Sequence, residues 1–153
     1  MLDGKYVVAK YCQWDVYPKG QGKIALEFLR DKFNREKFVK NLKKVRPITD
    51  KKLNKYWVEC GNDSKSNFVS SEVGTKFLAK YPNLHRDMGA DILAFIQNHT
   101  ERKNIELQDD LSFASNSLFC EWCWVVDLDQ VNKLPDNETF FKTFELLENA
   151  NEA

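Results

Sequence analysis

An α+β fold is predicted for this chain of 153 residues, as a small, mainly antiparallel sheet with about five helices packed on one face. Two observations predict it. Strand-like runs stand near both ends, and the stretches between them carry apolar residues at helical spacing. A single domain over residues 1–153 suits the length, which is enough to bury a core.

Residues 5–12 (KYVVAKYC) are short, β-branched and aromatic, and read as the first strand. Pro18, Gly20 and Gly22 make residues 13–22 a loop. A helix follows, because Ile24, Phe28, Leu29 and Phe33 recur at helical spacing. A second helix runs over residues 35–45, with Phe38, Val39, Leu42 and Val45 on one face, Asn34 as N-cap and Pro47 as its stop. Thr49 caps a third, where Ile48 and Leu53 form a hydrophobic staple and Tyr56 and Trp57 extend the apolar side. Residues 61–67 (GNDSKSN) are an exposed loop. Ser70 or Ser71 caps a helix that carries Val73, Phe77 and Leu78 and closes before Pro82. Another begins near Asp87 and buries Ile92, Leu93, Phe95 and Ile96, with Asp87 and Asp91 at the positive end of its dipole.

Past Thr100 the pattern changes. Residues 105–107 read as a short strand, and residues 118–128 as the strongest strand of the chain. There, Leu118, Cys120, Trp122, Trp124, Val126 and Leu128 share one apolar face. Phe119, Glu121, Cys123, Val125 and Asp127 share the other, which is mixed and faces solvent or a cleft. Residues 132–137 are turn-like, and an amphipathic segment follows around residues 140–147.

Composition excludes several classes. Basic and acidic residues balance at 23 each, which argues against a generic polyanion-binding surface and makes nucleic acid an unlikely non-specific partner. No run approaches the roughly 18 apolar residues of a membrane span, and the first residues lack a signal-peptide layout. A cytoplasmic protein without membrane attachment is expected. Cys120 and Cys123 match C-x-x-C, but Cys12 and Cys60 stand alone and His85 and His99 lack finger spacing. Free thiols in a reducing compartment are the expected reading, with no metal and no cofactor. A calcium loop from Asp127 fails because Val131 and Asn132 occupy positions that need a ligand and a glycine. With two histidines and no G-x-S-x-G, a hydrolase triad is not expected.

Three stretches carry candidate chemistry. The loop at 13–22 gathers Gln13, Trp14, Asp15, Tyr17 and Gln21, and Gly20-Gln21-Gly22 opens a helix whose free N–H groups suit an anion. Its plainer alternative is a turn with Trp14 and Tyr17 tucked into the core. Arg86 suits a bidentate carboxylate or phosphate, against Asp87 as a simple cap with Arg86 as its ion-pair partner. Glu121, mid-strand among aromatics, suits an acid or base, against a carboxylate that merely faces water.

Residues 11–22 (YCQWDVYPKGQG) resemble the Y-x-Q-W-D-G-Y-P-x-G-Q-G signature of an uncharacterised protein family of bacteria, their phages and related mobile elements. Residues 84–90 (LHRDMGA) and 117–122 (SLFCEW) with 125–129 (VVDLD) are similar to later segments of that family in order and spacing, so the resemblance spans roughly residues 5–130. Val16 replaces the family's usual Gly, the Met-Gly-Thr-Arg-like start is missing, and the strands after the last segment are shortened. The resemblance implies one functional constellation of Gln13, Asp15, Tyr17, Gln21, Arg86, Asp87 and Glu121, and no substrate.

The expected function is therefore a polar cleft for a small anionic, nucleotide-like ligand. Asp15 and Glu121 are its catalytic candidates; Gln13, Trp14, Tyr17, Gln21, Gly22, Arg86 and Asp87 are its ligand-binding candidates. The alternative is a phage or mobile-element inhibitor of a host defence system, acting on a host protein by direct binding.

Overall fold

The computed structural model describes residues 1–130 apart from Ser64, Ser66, Asn67 and Ser117. The turn-like stretch at 132–137 and the amphipathic segment at 140–147 lie outside the described residues. Five helices dominate: α1 (Lys23–Asp31), α2 (Arg35–Leu42), α3 (Asp50–Glu59), α4 (Ser71–Lys80) and α5 (Asp91–Asn98). Two strands of three residues, β1 (Val45–Pro47) and β2 (Ile105–Leu107), complete the regular structure with short turns of helix at Pro18–Gly22, Pro82–Leu84 and Leu111–Ser115.

The predicted antiparallel sheet is not what forms. The sheet has two strands, β1 and β2, and they run parallel, with Val45 opposite Ile105 and Pro47 opposite Leu107. The chain is mostly helical with a minor sheet. Both expected long strands lie outside it, for a reason visible in their hydrogen bonds. In residues 5–12 the N–H groups of Ala9 and Tyr11 donate to the carboxylates of Asp109 and Asp110, at 3.3 and 2.9 Å, rather than to a neighbouring strand. Residues 119–126 alternate in exposure as the pattern requires, with Trp122, Trp124 and Val126 shielded and Glu121, Cys123 and Val125 open, but Leu118, expected on the buried face, is exposed. Yet backbone pairing there is confined to the far end, where Leu128 N–H donates to the Met1 carbonyl at 3.1 Å and Val126 O accepts from the Met1 amine. Alternation reports which side is buried; it does not supply a hydrogen-bonding neighbour.

The helices follow their caps. The side chains of Asn34, Thr49 and Ser70 accept from the N–H groups of Lys37, Lys52 and Val73, each satisfying an amide that would otherwise be orphaned. α2 stops at Leu42, short of Val45, which opens β1 instead. α5 starts at Asp91, four residues later than Asp87, because a turn at residues 86–90 intervenes.

The main core joins α1, α2 and α5 to the sheet through Phe28, Phe38, Leu42, Ile96, Ile105 and Leu107, with Leu128 closing it. Val7, Val8 and Val126 pack against it from the extended segments. Two buried amides organise the helix ends. Asn41 donates to the carbonyls of Ile96, Gln97 and His99, which terminates α5. Gln97 accepts from Asn34 N–H and donates to the Lys32 carbonyl, bridging α1 to α2. A second cluster forms around Phe77, Leu84 and Cys60, with Trp57 stacked on Phe77 at 3.6 Å between ring centres. No helix among the described residues is long and apolar enough to cross a membrane.

Candidate functional site

The loop at 13–22 is wound tightly before α1 begins. Asp15 adopts a left-handed φ of 55°, and its carbonyl accepts from Gln21 N–H at 2.7 Å. Gly20 N–H donates to the Tyr17 carbonyl at 3.0 Å, and a Cβ on Gly20 would lie 2.1 Å from the Asp15 oxygen. The amides expected to face an anion are therefore spent on the loop's own carbonyls at Gly20 and Gln21. Gly22 is buried beneath the indole of Trp124, where an added Cβ would sit 2.7 Å from the ring. The same indole donates its Nε1–H to the Val16 carbonyl at 2.6 Å, pinning residues 118–128 to the loop. Trp14 and Tyr17 are 63% and 49% exposed, so neither is tucked into the core.

A second set of bonds ties this loop to residues 86–90. Asp87 Oδ1 accepts from the Gln13 N–H at 2.9 Å, and the Arg86 guanidinium donates to Asp87 Oδ2 and to Gln13 Oε1. Burial acts to raise the Asp87 pKa, but the Arg86 and Gln13 hydrogen bonds and the positive charges of Arg86 and His85 outweigh it and hold the carboxyl below its usual range. Gln21 Oε1 accepts from Ala90 N–H at 2.8 Å. Gly89, at a φ of +55°, leaves room for that amide: a Cβ there would lie 2.4 Å from Gln21 Oε1. Asp87 thus caps no helix; it holds the Gln13 loop.

These straps, the extended segments and the α2–α5 core enclose a cavity of about 650 Å³. Gln13, Asp15, Tyr17, Gln21 and Glu121 all line it. Trp14, Gly22, Arg86 and Asp87 stand outside its wall, Arg86 and Asp87 gripping Gln13 from behind. Much of the lining is aromatic, from Tyr6, Tyr11, Phe113, Phe119, Trp122 and Trp124. Tyr11 meets Phe113 edge-on at 4.9 Å, and Trp122 lies parallel to Trp124 with ring centres 5.9 Å apart. Cys12, Cys120 and Cys123 also reach the wall. Burial and the nearby Cys123 both push the Cys120 thiol up. Among the described residues no group of three or more His, Cys, Asp or Glu could hold a metal ion.

One wall residue escaped the sequence reading. Lys10 is buried, its side chain 3% exposed, and its ammonium has no hydrogen-bond partner among the described residues. Asp110 Oδ2 lies 3.6 Å away, an ion pair longer than a hydrogen bond, and is already engaged by Tyr11 N–H. Burial lowers the Lys10 pKa, with Asp110 pulling the other way. The one available signal is that, at period two, Lys10 shares a face with Val8 and Cys12. Among the described residues that line the cavity, Lys10 is the single basic side chain, against the acids Asp15, Asp110 and Glu121.

The chain matches no family model, no curated protein and no solved structure.

Proposed function

We propose that this cavity binds a small, ring-bearing ligand with at most one negative charge. It narrows the nucleotide-like anion expected from the sequence to the part of such a molecule that the wall can accommodate. Small-ligand sites span roughly 300–1,000 Å³ and combine apolar walls with a few convergent polar groups. The carrying observation is that Gln13, Asp15, Tyr17, Gln21 and Glu121, from distant stretches of chain, line one cavity of about that size together with seven further aromatic rings. The charge balance sets the limit: Lys10 and the Met1 amine, the latter held by the Val126 carbonyl, stand against three carboxylates, which disfavours a polyphosphate. Arg86, the other cation expected to serve an anion, stands outside the wall and has its Nε and Nη2 donors on Asp87 and Gln13. In a reaction, Asp15 and Glu121 are the wall carboxylates exposed enough to exchange a proton with a ligand.

The reading is tested by thermal shift with nucleosides, their 3′,5′-cyclic monophosphates, which carry a single charge, and their triphosphates. Uncharged and singly charged members should raise the melting temperature, by about 2.7 kcal/mol of added stability at a hundredfold excess over Kd. Stabilisation by triphosphates alone would overturn it. The second reading, an inhibitor of a host defence protein, draws on exposed Trp14, Leu118 and Phe119, at 63%, 78% and 68%. A stoichiometric host protein co-purifying with the chain, and lost on Phe119→Asp, would favour it.

A further inference from the structure

The Lys10–Asp110 pair has an unused capacity on each side. Lys10 brings an ammonium with no hydrogen bond among the described residues, and Asp110 brings a carboxylate whose Oδ2 holds Tyr11 N–H. Both line the cavity, beside the Tyr11–Phe113 edge-on pair. A buried ammonium without acceptors is costly, and a ligand oxygen would relieve that cost. A second full negative charge there would face Asp110 across a single lysine, so a neutral oxygen acceptor suits the site better than a carboxylate or phosphate. The adjoining carboxylate in turn asks for an N–H donor next to that oxygen.

We propose that Lys10 and Asp110 recognise the lactam edge of a heteroaromatic ring, a carbonyl beside a ring N–H as in uracil or hypoxanthine. Lys10 Nζ donates to the carbonyl oxygen, Asp110 accepts from the ring N–H, and the aromatic wall covers the ring faces. The lysine's flexible stem lets its amine turn to the ligand without backbone movement. This assignment rests on the cavity being a ligand site, and it adds the chemical identity of the edge that is read.

The experiment titrates the intact protein, by calorimetry, with uridine and inosine and with 3-methyluridine and 1-methylinosine, which lack the ring N–H. Lys10→Met and Asp110→Asn are titrated alongside. Uridine or inosine should bind, the methylated partner should bind at least tenfold more weakly, and each variant should lose at least tenfold for the parent nucleoside while the methylated compound changes little. Equal affinity for methylated and unmethylated nucleosides, with Lys10→Met indifferent, overturns the edge assignment and leaves the cavity reading standing. No binding of any ring compound overturns both. The methylated pair tests the donor on the unaltered protein, so the outcome does not depend on the variants folding.

Discussion

Substituting Gly22 by Ala tests the packing that closes the cavity. The added Cβ would stand 2.7 Å from Cζ2 of Trp124 and 2.9 Å from its Cη2, inside any real carbon–carbon contact. Since those atoms belong to a rigid ring, the indole as a whole must move. That movement breaks its 2.6 Å hydrogen bond to the Val16 carbonyl. Overpacking costs about 1–3 kcal/mol and the lost bond about 1 kcal/mol, giving a sum of about 2–4 kcal/mol. At about 3 °C per kcal/mol for a domain of this size, melting should fall by about 6–12 °C. Circular dichroism melting measures the loss. Trp124→Leu removes the obstructing ring, so adding Gly22→Ala to it should cost at least about 1 kcal/mol less than in the parent. A Gly22→Ala protein that melts like the parent, or strictly additive double substitution, would refute the contact between residues 118–128 and the loop.

Asn41→Ala should cost about 2–3 kcal/mol by orphaning carbonyls of Ile96, Gln97 and His99, read as a lower urea midpoint at unchanged slope. Gly74→Ala should stabilise by about 0.5–1 kcal/mol, because Gly74 lies inside α4 with nothing within 4 Å of an added Cβ; a destabilised variant would contradict open space there. Lys10 has a folded-state pKa below its unfolded value of 10.5. The unfolded chain therefore binds the extra proton, and stability should rise with pH on approaching 10.5 from below. Chemical denaturation from pH 8 to 10.5 should show that rise in the parent relative to Lys10→Met, and parallel curves would contradict the burial of the amine.

Local chemistry was legible in the sequence wherever one side chain decides the outcome. Asn34, Thr49 and Ser70 cap the helices expected of them, and residues 105–107 form a strand. The sheet was not legible, because period-two alternation in residues 119–126 fixes which side is buried and leaves the backbone partner open. Asp109 and Asp110 took the amides of residues 9 and 11, a side-chain substitution for a strand that no spacing rule marks. The site was half legible. Gln13, Asp15, Tyr17, Gln21 and Glu121 share a wall, but the glycines at 20 and 22 serve close approach to Asp15 and Trp124. Lys10 was hidden, since a lysine within a strand-like run reads as solvent-facing until a neighbouring carboxylate is found.

The indole signals of the four tryptophans offer the most direct measurement of ligand occupancy. Trp122 and Trp124 line the cavity, whereas Trp57 stacks on Phe77 in the separate cluster. In proton–nitrogen correlation spectra, saturating uridine or inosine should shift the Trp122 and Trp124 indole peaks and leave that of Trp57 in place. Shifts at Trp57 alone, or no indole shift with any nucleoside, would contradict a ring-binding cavity between the loop at 13–22 and residues 118–128.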